Sequence, residues 1–207
     1  MQSFFFNNPK LLQWAFPSRI WRVPTQEKVI YLTFDDGPHP EITPWVLNEL
    51  EKYNAKATFF LIGDNVRKYP EVKTLIQEKE HTVGNHTYNH WRSTKYSDND
   101  FIANVQQASG LIESKLFRPP YGILFPRKAK KLIQLGYKIV MWDIITGDFD
   151  RNLSADVCSA KTLKYAKPGS VIVFHDSEKA APNLKKALPL VLKKLRESGF
   201  RFEALPQ

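Results

Sequence analysis

The sequence predicts an α/β fold built as a single barrel-like domain. Patterns typical of strands and of helices alternate about seven times along the chain, which favours parallel strands joined by helices. No linker, repeat or shift in composition divides the 207 residues, which are enough for one hydrophobic core. Charged or titratable residues follow five of the predicted strands, where parallel α/β domains gather their functional groups.

The first half of the chain predicts three strands and two helices. Residues 28–34 are β-branched and aromatic and end at the turn-forming residues 35–38, which indicates a buried strand. Thr43 as an N-cap and Pro44 in the first turn predict a helix over residues 43–53. The same signals predict a strand, a helix and a short strand, at residues 57–62, 70–79 and 82–84.

Several helices of the second half have recognisable ends. Ser97 and Asp100 are spaced like a capping box, Ser154 is placed as an N-cap, and Gly136 as a left-handed cap at a helix end. The predicted helices lie at residues 97–115, 126–135, 154–166 and 184–198. The predicted strands lie at residues 137–142, 170–174 and 200–204.

Residues 1–27 are expected to form an N-terminal extension packed on a main domain of residues 28–207. Residues 11–22 are apolar enough to pack there or to lie on a membrane surface. Pro17 and Pro24 favour packing, because they break any long amphipathic helix. The start of the chain lacks the features of a signal peptide, and no segment reads as a membrane span, which leaves the cytoplasm and the cell envelope open as locations.

Composition and charge narrow the classes of function. The protein carries a net charge of +9, but its basic clusters contain no interleaved aromatic residues, so we expect no nucleic-acid partner. Cys158 is the one cysteine, which excludes an internal disulfide and a zinc site built from cysteines. Any metal must therefore use histidine and carboxylate ligands.

Two pairs of residues together could hold a metal ion. Asp35 and Asp36 are adjacent, so their side chains point in different directions and their charges need a cation nearby. His86 and His90 are four residues apart, so on a helical turn they would lie on one face and hold one ion. Taken separately, the aspartates could be turn formers and the histidines hydrogen-bonded loop residues.

Two other strand ends carry candidate catalytic groups. Arg118 precedes Pro119 and Pro120, which would hold the loop rigid, and its cation could keep Asp35 ionised. His175 ends an apolar strand, where a half-buried histidine near a carboxylate can act as a general acid. The alternatives are an exposed loop arginine and a histidine in a turn.

Five motifs in a fixed order extend over residues 33–175. They are Thr33-Phe34-Asp35-Asp36-Gly37-Pro38, His86-Thr87-Tyr88-Asn89-His90, Arg118-Pro119-Pro120-Tyr121-Gly122, the stretch from Trp142 to Phe149, and Val173-Phe174-His175. The set resembles the polysaccharide deacetylases of the NodB-homology type, carbohydrate esterase family 4. The resemblance implies a distorted (β/α) barrel and a divalent metal, usually zinc, with cobalt or another ion as alternatives.

The resemblance also implies a role for each matching residue. The metal ligands would be Asp36, His86 and His90. The catalytic residues would be Asp35 as general base, Arg118 to orient it, His175 as general acid, Asp148 to tune that acid, and Tyr121, whose N–H would stabilise the oxyanion. Substrate contacts would come from Pro119, Tyr121 and Val173.

Three positions depart from the family pattern without removing a chemical group. Phe149 stands where tryptophan is usual, Val173 where leucine lines the acetyl pocket, and Glu80 where glycine is common. We therefore expect an active, monomeric hydrolase that removes N-acetyl groups from an amino-sugar glycan such as peptidoglycan or a chitin-like oligosaccharide. An amidase or O-acetyl esterase, and a carbohydrate-binding protein on the same scaffold, are the alternatives.

Overall fold

The computed structural model describes residues 6–206, which contain eight strands and eight α-helices. The strands are β1 (Val29–Asp35), β2 (Ala57–Leu61), β3 (Thr82–Asn85), β4 (Leu116–Phe117), β5 (Lys138–Ile139), β6 (Ile144–Ile145), β7 (Val171–His175) and β8 (Arg201–Phe202). The helices are α1 (Lys10–Ala15), α2 (Ile42–Glu51), α3 (Gly63–Lys68), α4 (Pro70–Glu78), α5 (Asp98–Ile112), α6 (Pro126–Gln134), α7 (Ala155–Tyr165) and α8 (Ala181–Glu197).

The strands form one curled parallel sheet, a distorted half-barrel. Their order is β5-β4-β3-β2-β1-β7-β6, and β8 pairs with the start of β1. Every strand pair in this sheet is parallel. The predicted α/β fold with a distorted barrel is confirmed. Because the strands are parallel, their carboxyl ends meet on one side, which is where the candidate site lies.

The central strand β1 is buried along its whole length, because it lies between β2 and β7 in the sheet. Its side chains alternate between two environments. One set packs against the helices, through Ile30, Leu32 and Phe34. The other set faces the inside of the curl, through Val29, Tyr31, Thr33 and Asp35. The alternation therefore carries Asp35 into the barrel interior at the end of the strand.

The described part of the N-terminal extension lies along the two edges of the half-barrel. Asn7 forms an antiparallel bridge with Ile144 of β6, and Ile20 forms a parallel bridge with Val140, just after β5. Trp21 is buried beside these bridges in the core formed with α5 and α6. The extension thus supplies partners for backbone groups at both edges, which would otherwise be open to another strand.

Helix α1 takes little part in this packing. Leu11 and Trp14 are 73% and 79% exposed, so the expectation that the apolar residues from 11 to 22 pack on the domain is wrong for these two side chains. Among residues 6–206, no helix combines the length and apolar character that crossing a membrane requires.

The predicted helix caps are confirmed at three positions. The hydroxyls of Ser97 and Ser154 accept hydrogen bonds from the N–H groups three residues later, at 3.2 and 3.3 Å. Gly136 has a φ of 85°, the left-handed conformation predicted for it. The cap proposed at Thr43 is wrong. Thr43 lies inside α2, and His39 Nδ1 instead accepts from the N–H of Ile42 at 3.2 Å.

The strand predicted over residues 137–142 is interrupted, because this segment changes partners. Val140 N–H still donates to Phe117 O of β4, but Met141 N–H donates to the N-terminal extension. Asp143 N–H then donates to Val171 O of β7 at 3.2 Å, and β6 begins beyond it. Helix α3 has no counterpart among the predicted elements.

Candidate active site

Side chains from five places in the chain meet at the carboxyl ends of the strands. The first motif ends β1, and the others follow β3, β4 and β6 or end β7. The sequence-predicted residues at these places are Asp35, Asp36, His86, His90, Arg118, Asp148 and His175. They fall into three groups: a possible metal centre and two ion pairs beside it.

Asp36, His86 and His90 form a cluster that could hold a metal ion. One ligand atom from each residue lies within 4.8 Å of the others. Asp36 Oδ1 is 3.1 Å from His90 Nε2 and 3.7 Å from His86 Nε2. The side chain of His86 is buried, but those of Asp36 and His90 are about a quarter exposed. The cluster is therefore open on one side, as a catalytic metal site must be for water and substrate to enter.

His86 is held in the form that a metal ligand requires. Its Nδ1 lies 2.8 Å from the carbonyl oxygen of Arg118, which can only accept, so Nδ1 carries the proton and Nε2 keeps its lone pair. Burial lowers the pKa of His86 to about 4, so the ring is neutral at neutral pH. For Asp36, burial opposes ionisation, but the hydrogen bond from His90 and the charge of His175 hold its pKa well below the ordinary value. A neutral imidazole at His86 and an ionised carboxylate at Asp36 suit a divalent cation.

The two histidines lie on a loop, so the expectation that they share one face of a helical turn is wrong. Thr87 and His90 both have left-handed backbones, with φ of 66° and 56°, and these turn the chain so that both rings reach Asp36. Asn104 of α5 stabilises this loop through hydrogen bonds. Its amide oxygen accepts from two backbone N–H groups of the loop, at 2.9 and 3.2 Å.

Left-handed backbones are concentrated at the site. Asp36 has a φ of 80° and Tyr121 a φ of 61°, in addition to Thr87 and His90. None of these residues is glycine, and each such conformation costs roughly 1–2 kcal/mol. Strain of this kind persists where surrounding contacts impose it, and it is typical of functional sites. Here these conformations accompany the turn and loop that bring the side chains of Asp36 and His90 together.

Arg118 is fully buried and fixes the position of Asp35. Its Nη1 donates to Asp35 Oδ1 and to Thr33 Oγ1, each at 2.7 Å. Its Nη2 donates to the carbonyl oxygen of Met141 at 2.8 Å, and the guanidinium lies 4.1 Å from the centre of the Phe60 ring. Burial lowers the pKa of Arg118, while the Asp35 carboxylate acts against that shift. The alternative of an exposed loop arginine is therefore wrong.

His175 and Asp148 form a second ion pair. Asp148 Oδ1 lies 2.8 Å from His175 Nδ1, and Oδ2 accepts the backbone N–H of His175, also at 2.8 Å. Burial alone lowers the pKa of His175, but the Asp148 carboxylate outweighs it and raises the pKa to about 9. The ring of Phe149 lies edge-on to His175 at 5.0 Å. Phenylalanine at this position therefore still packs an aromatic ring against the histidine.

Asp176 fixes the turn that carries Asp36. Its Oδ1 accepts from the N–H of Gly37 at 3.1 Å, and the hydroxyl of Thr43 donates to its Oδ2. A Cβ added to Gly37 would lie 2.2 Å from Oδ2, so glycine is required for this close approach. Burial raises the pKa of Asp176 to about 7.

The three expected substrate-contact residues differ in exposure. The side chain of Tyr121 is 56% exposed, and its ring lies 4.8 Å from that of His90. Pro119 is buried, and Val173 is fully buried on the same face of β7 as His175. A substrate contact through Pro119 or Val173 stays a prediction.

Three residues that shape the site received no role from the sequence: Thr33, Asn104 and Asp176. Each is a buried polar residue. Thr33 interrupts an apolar strand, and Asn104 lies on the apolar face of α5. A buried polar group needs a hydrogen-bond partner. A polar residue within an apolar segment was therefore the sequence signal that could have identified them.

A sequence profile described as polysaccharide deacetylase matches residues 22–140, more than half of the chain. The chain belongs to the polysaccharide deacetylase family. This deacetylase is 33% identical over 190 residues to a peptidoglycan-N-acetylglucosamine deacetylase of Bacillus cereus, an alignment that covers 88% of this chain and 69% of the relative. It is 30% identical over 203 residues to a chitooligosaccharide deacetylase of Azorhizobium caulinodans, with 89% and 96% covered.

Solved structures agree with the sequence comparisons. A crystal structure of a peptidoglycan N-acetylglucosamine deacetylase bound to a substituted benzamide superposes with a TM-score of 0.87, at 31% identity and with 94% of both chains covered. The protein is therefore an enzyme, a polysaccharide deacetylase of carbohydrate esterase family 4, whose members act on N-acetylated amino-sugar glycans. This family is metal-dependent, and the Asp36 cluster is a possible site for the ion.

Proposed function

We propose that this deacetylase removes N-acetyl groups from an amino-sugar glycan with a zinc ion held by Asp36, His86 and His90. The observation that carries the proposal is the position of this cluster beside two ion pairs of different character. One pair presents a carboxylate, Asp35, and the other a protonated imidazole, His175. Hydrolysis of an amide needs both a base and an acid.

The ligand groups fit a divalent cation. Two imidazoles and one carboxylate are a ligand set that zinc takes in hydrolases, and cobalt is the alternative ion. When bound, such an ion would lower the pKa of a coordinated water from 15.7 toward roughly 7 and polarise the acetamide carbonyl.

Asp35 acts as the general base in this proposal. Its Oδ1 is held by Arg118 at 2.7 Å, which leaves the carboxylate as acceptor for a proton from the attacking water. The Arg118 guanidinium compensates the negative charge that Asp35 adds beside that of Asp36. Arg118 is thus a positioning residue, since its side chain is fully buried and makes four hydrogen bonds to protein groups.

His175 acts as the general acid. Because Nδ1 is hydrogen-bonded to Asp148, Nε2 is the ring atom that gives its proton to the departing amine nitrogen. The products are then acetate and a glycan with a free amine. The N–H of Tyr121 is proposed to donate to the developing oxyanion, a contribution typically worth about 10²–10³ in rate.

Acetate release from a panel of substrates tests the proposal. The panel contains N-acetylglucosamine oligomers, peptidoglycan and O-acetylated xylan, and the variant is Asp35→Asn. We expect release from at least one N-acetylated glycan and a loss of roughly 10²-fold or more in the variant, because a positioned base contributes about 10²–10⁴.

The matched control is Asp64→Asn, which removes a carboxylate from the surface of α3, where it pairs with Arg67 and Lys68. This control should keep the activity of the unmodified enzyme. Release from acetylated xylan alone would contradict the proposal and favour an O-acetyl esterase, and equal activity in Asp35→Asn would remove Asp35 from the mechanism.

A further inference from the structure

A cleft of about 380 Å³ opens directly beside the metal-ligand residue His90. It is lined by Asn89, His90, Trp91, Arg92, Lys95, Tyr96 and Tyr121. The cleft therefore adjoins the point where the acetylated sugar would be held. A glycan bound with its acetamido group at the Asp36 cluster would place a neighbouring part of the chain near these residues.

The walls of the cleft are aromatic and preorganised. The rings of Trp91 and Tyr96 stack at 3.7 Å between centroids with 4° between their planes. The loop that carries them is anchored by the buried Lys128, whose Nζ donates to the carbonyl oxygens of Ser93 and Tyr96 at 2.7 and 2.9 Å. Flat, fixed aromatic surfaces suit the apolar faces of sugar rings and cost little conformational entropy on binding.

Arg92 and Lys95 give the cleft a positive charge, and neither forms an ion pair within 4.0 Å among residues 6–206. Arg92 Nε is buried and makes no hydrogen bond to any described residue. The guanidinium lies 5.4 Å from the centre of the Tyr121 ring, which orients it toward the site. The acidic residue nearest in sequence, Asp98, is engaged elsewhere by Lys128 at 3.3 Å. The cations of Arg92 and Lys95 line the cleft without an ion-pair partner in the described part of the chain, so they are available to an anionic group bound there.

We propose that this cleft is an anion subsite, which binds a carboxylate carried by the glycan on the unit next to the acetylated sugar. The planar guanidinium of Arg92 matches a carboxylate, and the Lys95 ammonium adds a point charge at the entrance. The inference rests on the proposed deacetylase function and narrows its substrate class to acidic glycans. A phosphate ester on the glycan is also an oxyanion that a guanidinium can bind, so the test includes it as a separate ligand.

The test compares binding of three tetrasaccharides by calorimetry and their deacetylation by acetate release. One is neutral chitotetraose, one alternates N-acetylglucosamine with carboxylate-bearing N-acetylmuramic acid, and one is chitotetraose carrying a phosphate ester. The proteins are the zinc-loaded wild type, Arg92→Gln, Lys95→Gln, and Lys131→Gln, a control that removes a lysine of α6 outside the cleft.

The wild type should bind the carboxylate-bearing glycan more tightly than the neutral one, and this preference should weaken as salt is raised. Arg92→Gln should raise its Kd roughly tenfold or more, as expected for losing a hydrogen bond between charged groups, and leave the neutral glycan unchanged. Lys95→Gln should act in the same direction by a smaller factor, and Lys131→Gln should have no effect.

Three results would overturn the subsite: equal affinity for neutral and carboxylate-bearing glycans, equal losses for both in Arg92→Gln, or tighter binding of the phosphate arm alone. Lys95 is exposed, so Lys95→Gln tests the charge even where Arg92→Gln disturbs the loop. Failure of the deacetylase proposal is recognised separately, as absence of acetate release from all three glycans, and the calorimetric comparison still decides the subsite in that case.

Discussion

Asp148→Asn removes the charge that keeps His175 protonated and leaves a side chain of nearly the same shape. Burial lowers the pKa of His175 from 6.5, and the Asp148 carboxylate is the main group that raises it to about 9 instead. Without that charge, the pKa should fall to about 6.5 or below. At about pH 8, the protonated fraction would then drop from about 90% to about 3%, roughly thirtyfold.

The assay is acetate release as a function of pH, because a general acid is active only in its protonated form. For the wild type, kcat should decline as the pH rises through about 9. For Asp148→Asn, the decline should move to about pH 6.5 or lower, so the loss in kcat is small at about pH 6 and large at about pH 8.

Asp150→Asn is the control, since this neighbouring carboxylate accepts from Asn152 rather than from His175. An alkaline limb that stays in place in Asp148→Asn, with kcat unchanged, would refute the assignment of His175 as an acid tuned by Asp148. A uniform loss of kcat at all pH values would show that Asp148 acts on geometry and not on the proton.

Three further predictions concern the metal cluster and the contacts that support the site. Asp36→Ala should lose its bound divalent ion, which elemental analysis of the purified protein would show, because two imidazoles remain where three ligand groups stood. Arg118→Met should lower the free energy of unfolding by about 3–5 kcal/mol in urea denaturation, since it leaves the carboxylate of Asp35 buried and unpaired. Gly37→Ala should lower the melting temperature and the activity, because its Cβ would collide with Asp176. Gly110→Ala in α5, where a Cβ meets nothing within 4 Å, should instead stabilise by about 0.5–1 kcal/mol; equal effects of the two glycine changes would contradict the contact at Gly37.

Short sequence patterns correctly predicted the elements that are determined by interactions between residues close in the sequence. The buried strand β1 follows from its apolar run, and the caps at Ser97 and Ser154 follow from a hydroxyl placed three residues before a free N–H. The interruption between β5 and β6 was missed, because it depends on Met141 bonding to the N-terminal extension, far away in the sequence. The cap expected at Thr43 failed for a similar reason, since the Asp176 carboxylate accepts its hydroxyl.

In the candidate site, too, features set by nearby residues were predicted, and features that depend on distant residues were not. The motifs indicated which residues carry chemistry, and the chain brings Asp36, His86 and His90 together. The motifs did not reveal how the histidine loop is shaped, because that depends on Asn104 from a helix outside the motifs. The motifs also did not reveal that Arg118 is fully buried and donates a hydrogen bond to Thr33. That contact depends on how β1 and the end of β4 are oriented toward the barrel interior.

The most direct test of the account is to strip the enzyme of metal and return zinc in small steps, measuring bound zinc and acetate release on the same samples. The account predicts that release from an N-acetylated glycan rises in proportion to bound zinc up to one ion per chain, and that Asp36→Ala neither binds the ion nor releases acetate. Full release from protein shown to be free of metal, or zinc-dependent release in Asp36→Ala, would contradict it.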